Sequence, residues 1–235
     1  ALGTLARVKI LVIGSGGREH AIIRRLSADS PAPDLHAAPG NPGIAQVATL
    51  VALDGGAEDP DAVLAAALAH GVDLVVVGPE APLVAGVADG LVAAGIPCFG
   101  PVAAAARLEG SKAFAKEVMA AADVPTAVAR VCSTQDEVAA ALDELGAPHV
   151  VKDDGLAAGK GVVIAEDEQQ ARATLHEFLV EGRFGGEQVV VEEHLVGTEL
   201  KLTLALAIII AVPVAFGIAF FLTEVAPRWA RGPTA

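Results

Sequence analysis

Two lysines eight residues apart, Lys152 and Lys160, bracket the glycine-rich run 150–163, VVKDDGLAAGKGVV. Gly155, Gly159 and Gly161 leave the backbone N–H groups between them unobstructed by side chains. Cations and open N–H donors on one loop suit a single polyanion, a nucleoside triphosphate above all. The run is not the common phosphate loop, because Gly161 stands where a Ser or Thr should follow Lys160. A surface hairpin carrying two solvated lysines is the plainer alternative.

A second set of candidates lies near the start. Residues 13–20, IGSGGREH, place Gly14, Ser15, Gly16 and Gly17 between an apolar run and a helical pattern. Backbone N–H groups and a helix N-terminus can there approach an anion. In a dinucleotide fingerprint G-x-G-x-x-G the third glycine would fall on Glu19, so a single phosphate fits better than a pyrophosphate. His20 reads as a hydrogen-bonded structural histidine ahead of a catalytic one. Asn41, in PGN, and Gly78-Pro79-Glu80 each follow an apolar strand-like run. The carboxyl ends of parallel strands share one ligand-binding rim, where Glu80 would meet a hydroxyl or an amine. A solvated turn is the other reading of Glu80. Glu192, Glu193 and Glu199 end a later apolar run, as acceptors for a ribose or as ordinary surface charges.

The elements that must position these residues follow from periodicity. Strands are expected at 8–13, 35–38, 74–77 and 97–99, with helices at 19–26, 62–69 and 83–94. Near-continuous apolar strands alternating with helices indicate a parallel sheet covered on both faces. A helix is expected over 102–122, broken at Gly110 and carrying Lys112 and Lys116. Beyond it come strand 126–131, a helix opened by a Thr134–Glu137 capping box, strands 149–152 and 162–165, helix 167–179 and strand 188–193.

The chain has 235 residues, enough for one large or two modest domains. Hydrophobic residues make up 53% but aromatics only 3%, so its cores are built from Ala, Val, Leu and Ile. A formal charge of −13 argues against nucleic acid as a partner, while leaving room for a local phosphate site. Cys98 and Cys132 sit on apolar stretches without ligand-like spacing and are expected as free, buried thiols. No signal peptide is expected, and the lead 1–6 without a start Met reads as that of a trimmed chain. Residues 202–222 form an uncharged run, about 31 Å long as a helix and enough to cross a bilayer. A buried core helix kinked at Pro213 and Gly217 is the alternative.

Taken together, VKILVIGSGGREHA, APGNPG, DLVVVGPEAPLVAG, FGPVAAAARLEGSKAFAKEVM, VVKDDGLAAGKGVV and VVVEEHLVGTE resemble the phosphoribosylamine–glycine ligase family of ATP-grasp enzymes. The resemblance covers residues 8–199, with GSGGREHA, GPEAPL and LEGSKAFAK its specific part. It implies an α/β fold: a Rossmann-like parallel-sheet domain for phosphoribosylamine (1–107), a helical connector (108–125) and an incomplete ATP-grasp α+β lobe (126–199), to which the uncharged run adds an apolar C-terminal helix in a transmembrane-like tail (200–235). It implies ATP-driven amide formation in purine biosynthesis, through a glycyl phosphate attacked by the amine of 5-phosphoribosylamine. Gly14, Ser15, Gly16, Gly17, Asn41, Gly78, Pro79 and Glu80 would hold the phosphoribosylamine. Lys112 and Lys152 would contact the ATP phosphates, and Gly159, Lys160, Gly161 and Val162 would form a closing flap. Glu192 and Leu195 would line the adenine, with Glu199 on the ribose.

The pattern departs from the family after Glu199. The family's Glu and Asn ligands for Mg²⁺ or Mn²⁺, and an arginine beside the transferred phosphate, have no counterpart in this sequence. The polypeptide alone is therefore expected not to be a competent ligase. Residues 202–233 resemble a transmembrane stretch of a phosphate-type ABC transporter permease, which would give the tail a membrane association. ATP chemistry would put residues 1–199 in the cytoplasm and Arg228 and Arg231 outside, against the positive-inside tendency. Two alternatives stay open: a non-catalytic sugar-phosphate or nucleotide-binding fragment joined to a permease-like segment, and another ATP-grasp carboxylate–amine ligase.

Overall fold

The computed structural model describes residues 7–157 and 159–197. It divides into two units, Ala1–His194 and Leu195–Ala235, the second described only at residues 195–197. Glu199 and the apolar run 202–222 thus lie outside the described residues. No described helix is long and apolar enough to cross a membrane.

Within the first unit, strand β1 (Lys9–Gly14) is buried almost from end to end because it has a strand on either side. It pairs in parallel with β2 (Asp34–Pro39) and with β4 (Leu74–Val77). The short strands β3 (Thr49–Leu50) and β5 (Cys98–Phe99) complete the parallel order β3-β2-β1-β4-β5. Alternation along β1 fills two cores. Leu11 and Ile13 pack with Val63 and Ala67 of helix α2 (Pro60–His70), while Ile10 and Val12 pack with Ile23 of helix α1 (Gly17–Ser27). Each such Leu, Ile or Val side chain contributes about 1.5–3 kcal/mol by leaving water. The chain builds outward from β1 to β3, then returns to lay β4 on the other side. That reversal opens a crevice at the carboxyl ends of β1 and β4, where open α/β sheets take their ligands.

The expected helix 83–94 is two pieces, α3 (Glu80–Val84) and α4 (Val87–Ala93), because Gly86 adopts a left-handed φ of +93° between them. The expected break at Gly110 falls one residue later. Helix α5 (Ala103–Gly110) ends where Ser111, extended at φ −136°, caps helix α6 (Lys112–Ala121) by accepting the Phe114 N–H at 3.1 Å.

The second sheet is antiparallel, in the order β6 (Ala129–Cys132), β9 (Val189–Glu193), β7 (His149–Asp153), β8 (Val162–Ala165). Strand β6 starts later than the expected 126, where the Ala127 carbonyl accepts from Lys116 and the Val128 N–H donates to the Glu193 side chain. Helices α7 (Gln135–Leu145) and α8 (Glu168–Leu175) cover one face, packing on Cys132, Val151, Ala165, Val189 and Val191. The predicted Thr134–Glu137 capping box opens α7. A wide π turn, His176–Val180, continues the expected helix past α8. The opposite face is set by register. Ala129, Glu192, Val150 and Ile164 form one cross-strand row, and Val131, Val190, Lys152 and Val162 the next. Val131, Val162 and Ile164 are exposed on it.

Candidate functional site

The crevice of the parallel sheet gathers the first group of predicted residues. Gly14 ends β1, Ser15 and Gly16 form the exposed turn, and Gly17 opens α1. Asn41 ties the neighbouring loop down: its Nδ2 donates to the Ser15 carbonyl at 2.9 Å, and its Oδ1 accepts from the N–H groups of Gly43 and Ile44. Gly78 donates its N–H to the Ile13 carbonyl at 3.0 Å, and Pro79 precedes the first turn of α3, which Glu80 begins. All eight predicted substrate residues therefore lie at one end of one sheet.

The crevice also holds a group whose role sequence reasoning missed. Glu19 is 4% exposed, and its Oε2 accepts the Gly16 N–H at 2.7 Å. A methyl on Gly14 would stand 2.6 Å from Glu19 Cγ, and one on Gly78 would stand 2.1 Å from Oε1. These glycines are needed because a carboxylate occupies the space their side chains would fill. Gly14, at φ +128°, is also in a conformation that favours glycine. The Gly16 donor is thus already satisfied. An incoming anion meets the first-turn N–H groups of α1 and the exposed Arg18, whose guanidinium donates to the Gly78 carbonyl and lies 3.9 Å from Glu80 Oε2. Arg18, Gly78, Glu80, Leu83, Pro101, Ala106 and Glu109 line a cleft of about 340 Å³. His20 packs over Gly43, where a methyl would come within 2.4 Å of its ring, but its Nε2 is buried without a hydrogen-bond partner among the described residues, so the hydrogen bond expected of it is not made there.

The second group is built around the glycine loop. Lys152 projects from β7 onto the open face and donates to Glu192 Oε2 of β9 at 2.8 Å. Lys116 of α6 lies 3.4 Å from the other oxygen of Glu192, an ion-pair approach without hydrogen-bond geometry, and donates instead to Thr126 Oγ1 and the Ala127 carbonyl at 2.8 Å each. Lys112, the first residue of α6, donates from Nζ to the Gly155 carbonyl at 2.9 Å. Lys112 thus reaches the loop from α6, while Lys152 leaves the strand just before it for Glu192, and each rests on an internal acceptor. Lys160 is exposed, with its N–H on the Ala157 carbonyl, and Gly159 adopts a left-handed φ of +78°. Gly161 returns its carbonyl to the Asp153 N–H at 2.9 Å, and Val162 continues the open face. Leu195 is exposed in the second unit, and Glu199 lies outside the described residues.

The joint that delivers Lys112 is Asp154, 8% exposed. Its carboxylate accepts from Ser111 Oγ at 2.9 Å, the Ala113 N–H at 2.6 Å and Gln188 Nε2 at 2.7 Å. Nothing in the local sequence marks this contact across 43 residues. The described residues offer no group of three or more His, Cys, Asp or Glu side chains arranged to hold a metal ion. They do not by themselves fit a divalent cation.

Comparison with known proteins extends this geometry. Residues 8–109 match the family model of the phosphoribosylglycinamide synthetase N domain, and residues 110–214 that of its ATP-grasp (A) domain. The chain is 58% identical over 195 residues to a phosphoribosylamine–glycine ligase of Streptomyces coelicolor, covering 83% of this chain and 44% of that protein. It is 55% identical to the ligase of the same name from Leifsonia xyli, covering 84% of this chain and 46% of the relative. Among solved structures, the phosphoribosylamine–glycine ligase of Thermotoga maritima superposes with a TM-score of 0.65 at 30% identity, over 82% of this chain and 45% of that one. The N5-carboxyaminoimidazole ribonucleotide synthetase of Thermus thermophilus, at 20% identity and a TM-score of 0.60 over 80% of this chain and 47% of that one, shares the fold. The chain spans a little under half the length of these relatives.

Proposed function

The chain belongs to the phosphoribosylglycinamide synthetase family, an ATP-grasp carbon–nitrogen ligase family, and from that premise we propose that it carries two binding sites of the ligase making glycinamide ribonucleotide. In the whole reaction a glycine carboxylate oxygen attacks the γ-phosphorus of ATP, releasing ADP and forming glycyl phosphate. The amine nitrogen of 5-phosphoribosylamine then attacks the glycyl carbonyl carbon. A C–N bond forms, inorganic phosphate leaves with the C–O bond electrons, and the nitrogen loses a proton.

The observation that carries the reading is a lysine at each border of the glycine loop, Lys112 resting on its Gly155 carbonyl and Lys152 on the strand that enters it, where it meets Glu192 on an open apolar face. Two ammonium groups on internal acceptors can exchange Gly155 O and Glu192 for phosphate oxygens at small reorganisation cost. Val162 and Ile164 would support the adenine, with Glu192 accepting from its amino group. Gly159, Lys160, Gly161 and Val162 would close over the phosphates and keep water from an acyl phosphate. In the crevice, Arg18 and the start of α1 would take the sugar phosphate, with Ser15, Gly17, Asn41 and Gly78-Pro79-Glu80 around the ribose. Glu80 is the group suited to a hydroxyl or to the amine. Such chemistry belongs in the cytoplasm, where ATP is supplied.

Isothermal titration of the purified chain tests both sites. ATP with Mg²⁺ and ribose 5-phosphate are each expected to bind once, without competing. Lys152→Met should weaken ATP at least tenfold and leave ribose 5-phosphate unchanged. Competition between the two ligands, or loss of both affinities in that variant, would refute the assignment.

A further inference from the structure

Asp153 is 0% exposed, follows Lys152 directly on β7, and has no part in the binding chemistry above. Its Oδ2 accepts the Gly155 N–H at 2.9 Å, at the start of the glycine loop. Its own N–H donates to the Gly161 carbonyl at 2.9 Å, at the loop's end. One residue therefore holds both stems. On a third side, a methyl on Gly186 would stand 2.6 Å from Oδ1, so the turn before β9 is pressed against the same carboxylate. Gly161 is confined likewise, since a methyl there would stand 3.2 Å from Asp153 Cβ and 2.5 Å from Ala157 Cβ. Among the described residues, Oδ1 is buried without a hydrogen-bond partner. Such a group is a standing cost to the fold and calls for a reason.

The reason lies in Gly155. Its N–H is taken by Asp153, and its carbonyl is the resting place of Lys112 Nζ. The carboxylate of Asp153 thereby holds the peptide that enters Gly155, and Lys112 is parked on the carbonyl of the peptide that leaves it, while the adjacent Lys152 faces the open side of the sheet. We propose that Asp153 is the positioning residue of the glycine loop: it pins both stems against the Gly186 turn and so aligns Lys112 and Lys152 for one polyphosphate. This rests on the nucleotide reading of the loop. Asp153 touches neither ligand in this scheme and acts through Gly155 and Gly161.

The test combines a readout of the loop with a readout of the ligand. Lys160 is exposed within the loop, so trypsin cleavage of the Lys160–Gly161 bond, followed by mass spectrometry, reports its freedom. In the full chain Asp153→Ala should raise that cleavage rate at least tenfold and weaken binding of Mg·ATPγS at least tenfold. Ribose 5-phosphate binding at the other sheet should not change. Asp153→Asn keeps an acceptor for the Gly155 N–H and should restore both values to within about threefold of wild type. Gly186→Ala, which pushes the same carboxylate from the opposite side, should reproduce the Ala phenotype if Asp153→Ala does not fold. Unchanged cleavage and unchanged nucleotide affinity in folded Asp153→Ala would overturn the proposal, as would failure of Asn to rescue. A wild-type chain that binds no Mg·ATPγS would instead refute the nucleotide reading, and cleavage alone would then decide whether Asp153 pins the loop.

Discussion

Replacing Glu192 by Gln should destabilise the antiparallel lobe by about 1.5–2 kcal/mol, and replacing it by Ala by about 2.5 kcal/mol. The magnitudes come from the two lysines it faces. Glu192 is 5% exposed, and Lys152, 25% exposed, gives it a 2.8 Å charge-assisted hydrogen bond. Breaking a fully buried pair costs about 3–5 kcal/mol, but the Lys152 ammonium can turn partly to water, which lowers the figure. Lys116 adds little, because Thr126 Oγ1 and the Ala127 carbonyl keep it satisfied after the carboxylate is gone. The alanine variant also loses one buried methylene, worth about 0.8 kcal/mol. Urea unfolding followed by far-ultraviolet circular dichroism would measure the change, and a cycle with Lys152→Met would isolate the pair. A coupling of about 1–2 kcal/mol is expected. Single variants costing under about 0.5 kcal/mol and adding independently in the double variant would show that the pair is not a structural contact.

Gly78→Ala is expected to lower stability by about 1–3 kcal/mol, because its methyl would displace Glu19 from the Gly16 N–H. The same variant should weaken ribose 5-phosphate, and wild-type melting with wild-type affinity would contradict the packing argument. Burial pushes the Cys132 thiol from 9.0 up to about 11, with the Glu137 carboxylate adding to the rise. The unfolded chain therefore ionises this thiol first. Its contribution to stability is intact below pH 9, falls as the pH rises, and is fully lost by about 11. Cys132→Ala should flatten that alkaline limb of the stability curve, and an unchanged limb would assign it elsewhere.

Much of the architecture is legible in the sequence, because its signals are local. An apolar run such as KILVIG buries itself only as a central strand, and the Thr134–Glu137 box writes the start of α7 within four residues. The sequence was less informative where a backbone turn depends on a side chain's other commitments. Ser111, not Gly110, separates α5 from α6 because its hydroxyl serves both Phe114 and Asp154. The two-residue strands β3 and β5 are too short to carry a period, and pairing with neighbours makes them.

The amino-acid order by itself determined that glycines, lysines and acids would line the ends of strands, since periodicity says where a strand stops and a loop begins. Only the tertiary structure decided what those residues meet. Glu19 fills a cradle completed by Gly78, Lys152 finds Glu192 40 residues on, and Asp154 locks Lys112 to the loop across 43 residues. Strand register and helix packing set such meetings. A register shift of one residue would turn Lys152 away from Glu192 without altering a single local preference.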